Sequence, residues 1–288
     1  MTEQSQSSSV TARRMMLGAR LRRLREERGI SRADAGYTIR ASESKMSRLE
    51  LGKVSFKERD VADLLMYYGV TDPAERSGVL ALLREANRPG WWRAYEDVLP
   101  DWFQDYIGLE QAATRIRTYE THFVPGLMQT DDYSRAVIAT ALPQPTEPEV
   151  ERAVALRAVR KQLLTRPGGP HIWAVVEEAA LRRPVGSEAV RRGQLEHLLK
   201  LATLGHITIQ VLPLTRHVHA AAGGAFTMLR FGETDLPDVV YVEHLLSALY
   251  LDRPDHVSRY AEVMDLLCVE ALLPEETVTF IGDLLTES

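Results

Sequence analysis

Helix boundaries fall so close together between Leu17 and Gly52 that this stretch can fold only as short helices crossing one another. Leu17, Leu21 and Leu24 recur at the i, i+4, i+7 spacing of an amphipathic helix that runs to Arg28. Its other faces carry Arg20, Arg22, Arg23, Arg25 and Arg28, read as solvated or phosphate-facing. Gly29 fits a helix C-terminal cap and Ser31 the next N-cap. A second helix is expected from Arg32 to about Thr38, with Ala33, Ala35 and Gly36 set inward, because small residues let another helix cross closely. Ile39 would seal the turn. Ser42 then caps a third helix, Glu43 to Leu51, with Met46 and Leu49 inward and Glu43, Ser44 and Arg48 outward. Gly52 ends it, and Phe56, Val61, Leu64 and Leu65 complete an all-helical bundle.

The charge distribution sets this bundle apart. Residues 1–57 hold 13 Lys and Arg against 6 Asp and Glu, a net of +7, while the remainder holds 22 against 34, a net of −12. A small basic block beside a large acidic one is the footprint of a nucleic-acid-binding head on a non-binding body.

The stretch Leu17–Lys53 (LGARLRRLREERGISRADAGYTIRASESKMSRLELGK) resembles the phage-repressor, Cro/C1 or XRE, type of helix-turn-helix. Five features carry the resemblance: a basic first helix, Gly-Ile-Ser, a small-residue helix, a Ser-capped helix, and the Glu-x-Gly-Lys ending. Two positions depart from the pattern. Arg32 stands where the family usually has Gln, and Arg40 where the turn often has Gly. Either Arg40 takes a left-handed backbone conformation, or the turn differs.

The resemblance implies that the third helix enters the major groove and that Glu43, Ser44 and Arg48 read base edges. Arg48 can pair bidentately with guanine, Glu43 can accept from cytosine N4, and Ser44 is adaptable. Ser31, Arg32, Ser42, Lys45 and Lys53 would hold phosphates, setting register and affinity. One such domain usually binds too weakly for specificity, so a homodimer on a near-palindromic double-stranded operator is expected.

Beyond the bundle, an amphipathic helix from Asp72 to Asn87 leads to a junction near 88–98, where Trp91, Trp92, Trp102 and Phe103 gather as an interdomain core or an aromatic ligand site. Trp102, Tyr106, Leu109, Ala113 and Ile116 share helical spacing, and a long helix is expected from about 148 to 165. His171–Glu177, Ile207–Leu212, Phe226–Phe231, Val239–Glu243 and Ala248–Leu251 read as strands, with a helix from Ser187 to Thr203 and a helical stripe from Val257 to Ala271. The expected fold is thus mainly α with an α/β second domain, whose small four- or five-stranded sheet is covered by helices. The boundaries expected are a disordered tail over 1–12, the helix-turn-helix domain over 13–72, a connecting helix and linker over 73–97, and the regulatory or partner-binding domain over 98–288.

The segments VPGLMQTDDYSRAV, EEAALRRPVG, ITIQVLP, GGAFTMLRF and VVYVE resemble an uncharacterised, Scr1-type, antitoxin-like domain of actinomycete regulators, over roughly 95–285. That resemblance implies a transcriptional regulator that senses a signal or docks a small protein partner. It supplies no catalytic or ligand site.

Catalytic chemistry has little support in the residues. No HExxH, CxxC or Walker-type glycine loop occurs. His217 and His219, with Glu243 and His244 approaching, could form a metal or acid–base site of an enzyme domain, against the plainer reading of loop histidines beside Gly223-Gly224. Cys268 sits on an apolar helical stripe and reads as inert core. The expectation is therefore no enzyme, no cofactor, no metal and no membrane segment. The absence of an apolar amino-terminal segment and the lone cysteine point to a cytoplasmic, nucleoid-associated protein.

Overall fold

The computed structural model describes residues 10–52, 54–141, 145–215, 221, 223–232 and 236–287. The chain divides into two units. One comprises the residues up to Arg93 with Asp105–Ala112 and Gly232–Leu236, and the other comprises Ala94–Gln104, Ala113–Phe231 and Pro237–Ser288.

The first unit is helical: α1 (Val10–Glu27), α2 (Arg32–Thr38), α3 (Glu43–Glu50), α4 (Glu58–Tyr67) and α5 (Pro73–Ala86). Helix α1 begins well before Leu17, so Val10–Ala12 are helical and not tail, and Thr11 and Ala12 are buried. Leu17, Leu21 and Leu24 pack with Ala35, Met46, Leu49, Phe56, Leu64 and Leu65 in one core. Ala33 is exposed, while Ala35 and Gly36 face inward as expected. Helix α5, read from sequence as a connection, supplies Val79, Leu83 and Ala86 to the same core. It is tied to α1 by Arg20–Glu75 at 2.5 Å and Arg13–Glu85 at 2.9 Å.

Helix α6 (Asp101–Ala112) runs without a break into β1 (Ala113–Glu120). The sequence stripe through Ala113 and Ile116 continued the helix too far, because no Gly or Pro marks the change. The β-branched Thr114, Ile116 and Thr118 belong to a strand. The second unit continues with α7 (Asp131–Ala141), α8 (Glu147–Lys161), β2 (His171–Glu177), α9 (Glu178–Arg182), α10 (Glu188–Ala202), β3 (Ile207–Leu212), β4 (Phe226–Phe231), β5 (Val239–His244), β6 (Ser247–Leu251), α11 (Pro254–Glu270) and α12 (Pro274–Thr286). A capping box between Thr146 and Glu149 starts α8.

The sheet has six strands in the order β3-β2-β1-β4-β5-β6, larger than the four or five expected. The missed strand, β1, lies inside it, parallel to β2 and antiparallel to β4. On one face, Tyr119, Val175, Phe226, Met228 and Val240 pack with Met264 and Leu267 of α11. Ile116, Ile172, Ala174, Val176, Ile209 and Leu229 are buried on the other. Edge strand β3 is closed off: the Leu272 amide donates to the Val211 carbonyl at 2.9 Å, and the Thr277 hydroxyl accepts from the Val211 amide at 3.0 Å.

The aromatic residues expected to form one junction core are shared between the units. Trp91 and Trp92 pair edge-on with centroids 6.0 Å apart in the first unit. In the second, Phe103 lies under the Arg160 guanidinium, 4.8 Å from it, and meets the Tyr241 ring at 6.3 Å. Among the described residues, no helix is long and apolar enough to cross a membrane.

Candidate nucleic-acid interface

Two serines start the two central helices of the first unit. Ser31 caps α2 by accepting from the Asp34 amide at 3.1 Å, and Ser42 caps α3 by accepting from the Lys45 amide at 3.2 Å. Between them, Arg40 has φ of +53°, the left-handed conformation that a turn glycine would otherwise take. The amide of Ala41 then reaches back to the Gly36 carbonyl at 2.8 Å and closes the turn.

Helix α3 divides cleanly. Met46, Leu49 and Glu50 are buried, while Ser42, Glu43, Ser44 and Arg48 are exposed, with Lys45 partly so. Arg48 makes no ion pair among the described residues. Of the arginines expected to be solvated or phosphate-facing, Arg22, Arg23 and Arg28 are exposed, Arg20 is half-buried, and Arg25 is buried. Arg13, Arg20, Arg22, Arg23 and Arg25 all pair with carboxylates of their own unit. Arg13, Arg20 and Arg25 thereby join helices of the bundle, while Arg48 on α3 is free of an ion pair among the described residues.

One of those pairs is internal. Arg25 is 6% exposed and Glu50 4%. Arg25 Nε donates to one carboxylate oxygen of Glu50 at 2.5 Å and Nη2 to the other at 3.0 Å, while Nη1 reaches the Ile30 carbonyl at 2.8 Å. The hydrogen bond to Glu50 raises the Arg25 pKa. Burial, with Glu50 nearby, pushes the Tyr68 phenol up as well. Arg32 approaches the same carboxylate, Nε to Oε2 at 3.4 Å. Arg32, expected at a phosphate, is therefore shared with Glu50. The pair was legible in principle: Arg25 follows Leu21 and Leu24, and Glu50 follows Met46 and Leu49, at the i, i+3, i+4 positions that face inward.

Gly52 closes α3 with φ of +67°, and a Cβ there would lie 2.6 Å from the Met15 amide nitrogen. Gly18 lets α1 cross the end of α3, since its Cβ would meet the Glu50 carbonyl oxygen at 2.5 Å. The Glu-x-Gly ending is thus a packing device that seats α3 on α1. Lys53 lies outside the described residues, as do His217 and His219. Glu243 is exposed near the end of β5. Cys268 is half-buried against Arg117, Nη2 to Sγ at 3.6 Å, and is not sealed core.

A helix-turn-helix domain family matches residues 16–79, which supports a DNA-binding regulator. No curated protein and no solved structure matches the chain. The family described as a domain of unknown function (DUF5753) matches residues 103–283, well over half of the sequence, so the chain belongs to the DUF5753 family and carries a helix-turn-helix domain ahead of it.

Proposed function

We propose that the chain is a sequence-specific transcriptional regulator of the XRE type that reads double-stranded DNA as a homodimer. Helix α3 lies in the major groove, and Glu43, Ser44 and Arg48 contact base edges. Ser31, Ser42, Lys45 and Lys53, with Arg32 in part, hold phosphates. The observation that carries the reading is Arg48: an exposed guanidinium with no ion pair among the described residues, on a helix whose opposite side is anchored by Met46, Leu49 and Glu50. The second unit regulates that activity by sensing a small-molecule signal or docking a small protein in an antitoxin-like manner. The reading assigns no catalytic step to the chain.

Selection of bound duplexes from a random-sequence pool tests it, with wild type and Arg48→Ala side by side. Wild type should enrich a near-palindromic site, and Arg48→Ala should lose preference at a guanine in each half-site, by roughly 1–3 kcal/mol. Equal binding of all duplexes by wild type would end the specific-reader reading.

A further inference from the structure

Helix α11 covers only part of its face of the sheet. Beyond it, the register sets Arg230 of β4, Arg115 of β1 and His171 of β2 side by side across three adjacent strands. In the next row stand Met228, Arg117, Trp173 and Thr208. This floor, with Met228 tucked beneath α11, and the edge of that helix enclose a groove of about 630 Å³, lined by three arginines and two histidines against two aspartates. A volume of that size suits a small organic molecule.

Like charges directly opposite one another across strands are locally unfavourable. Asp238 offsets Arg230 at 2.8 Å. Asp265 engages Arg117 at 2.6 Å. Arg115 is exposed and has no ion pair among the described residues. The Nε of Arg117 is buried and makes no hydrogen bond. Trp173 is 38% exposed, its ring held by Nε1 donating to Gln210 at 2.7 Å and by the Arg117 guanidinium 5.7 Å from its centroid. A fixed, half-open indole provides a flat apolar wall, and Arg115 in the neighbouring row provides a charged end. All this occurs in the part of the chain that is otherwise strongly acidic, with 22 basic residues against 34 acidic ones after position 57.

We propose that this groove binds a small organic anion with a planar apolar body, its acid group held by Arg115 and Arg230 and its body laid against Trp173. The proposal rests on the regulatory reading of the second unit and names the chemical class of its signal. An occupant of this kind neutralises the cross-strand pair of arginines; among the described residues no carboxylate does so for Arg115.

Fluorescence titration of the full chain, without DNA, with two dyes tests it. 8-Anilinonaphthalene-1-sulfonate carries the anion, and N-phenyl-1-naphthylamine has the same aromatic body without it. The sulfonate should bind once per chain and at least about tenfold more tightly than the neutral dye, as expected for a charge-assisted contact. Arg115→Gln should erase that difference, Arg115→Lys should keep most of it, and 2-naphthoate should displace the dye. Equal binding of the two dyes by wild type, several dyes per chain, an unchanged Arg115→Gln, or displacement by polyglutamate but not by 2-naphthoate would overturn the proposal; the last would assign the groove to an acidic protein segment. Because the readout is independent of duplex binding, a failed dye titration leaves the Arg48 test standing, and the reverse holds too.

Discussion

Arg25 and Glu50 meet inside the helical unit with two nitrogens of one guanidinium on two oxygens of one carboxylate, at 2.5 and 3.0 Å, joining the end of α1 to the end of α3. The pair holds α3, the proposed DNA-reading helix, at a fixed place on the bundle. Breaking a buried pair by removing one partner leaves a charge stranded, a cost of about 3–5 kcal/mol. Glu50→Ala should therefore unfold the helical unit at much lower denaturant concentration. The double change Arg25→Met, Glu50→Leu should recover most of the loss, since a well-packed apolar pair removes both charges. Urea melts followed by circular dichroism check both.

Arg40 should be a site of gain. Its φ of +53° costs a side-chain-bearing residue about 1 kcal/mol that glycine does not incur. Arg40→Gly should raise the melting temperature of the helical unit, while Arg40→Ala, which keeps a Cβ, should not. A rise in both would show that the side chain and not the backbone was unfavourable.

Gly52 should tolerate nothing larger. A Cβ 2.6 Å from the Met15 amide nitrogen, on a residue with φ of +67°, combines overpacking with backbone strain. Gly52→Ala should cost about 2–3 kcal/mol and weaken binding to every duplex alike, because α3 shifts as a whole. Thermal melts and DNA titrations on the same sample separate the two effects.

Lys45 and Arg48 should part company in their salt dependence. Lys45→Ala removes one proposed phosphate contact, so affinity should fall for all sequences and the slope of log K against log salt should become shallower by about 0.9. Arg48→Ala should change sequence preference and leave most of that slope. A salt slope untouched by Lys45→Ala would remove Lys45 from the phosphate set.

Glu120, at the end of β1, has its carboxyl pushed up to about 8, first by burial and second by the like charge of Glu243. The folded state therefore holds a proton that the unfolded state has released above its ordinary value of about 4.5. Stability from this group should fall as pH rises from about 4.5 to about 8 and level off beyond. Glu120→Gln should flatten that fall and make the protein more stable than wild type at pH 9. Melting temperatures of the two proteins between pH 5 and 9 give the answer, and parallel curves would refute it.

The helix-turn-helix was legible because its instructions are local. Ser31 and Ser42 cap the helices they precede, Gly52 ends α3, and the Met46–Leu49 spacing sets which side turns outward. Such features act through neighbours a few residues away, so the order of residues decides them. That Arg25 and Glu50 turn inward was legible from their helical spacing, but that they meet across 25 positions, or Arg20 and Glu75 across 55, was not. Strand β1 was hidden for a related reason. Its first residues prolong the helical stripe of α6, and only pairing with β2 and β4 makes extended backbone the better state for Ala113–Glu120. The basic groove is also a product of pairing. Arg115, His171 and Arg230 are unremarkable in three separate segments and become a site when hydrogen-bonded strands stand them in one row.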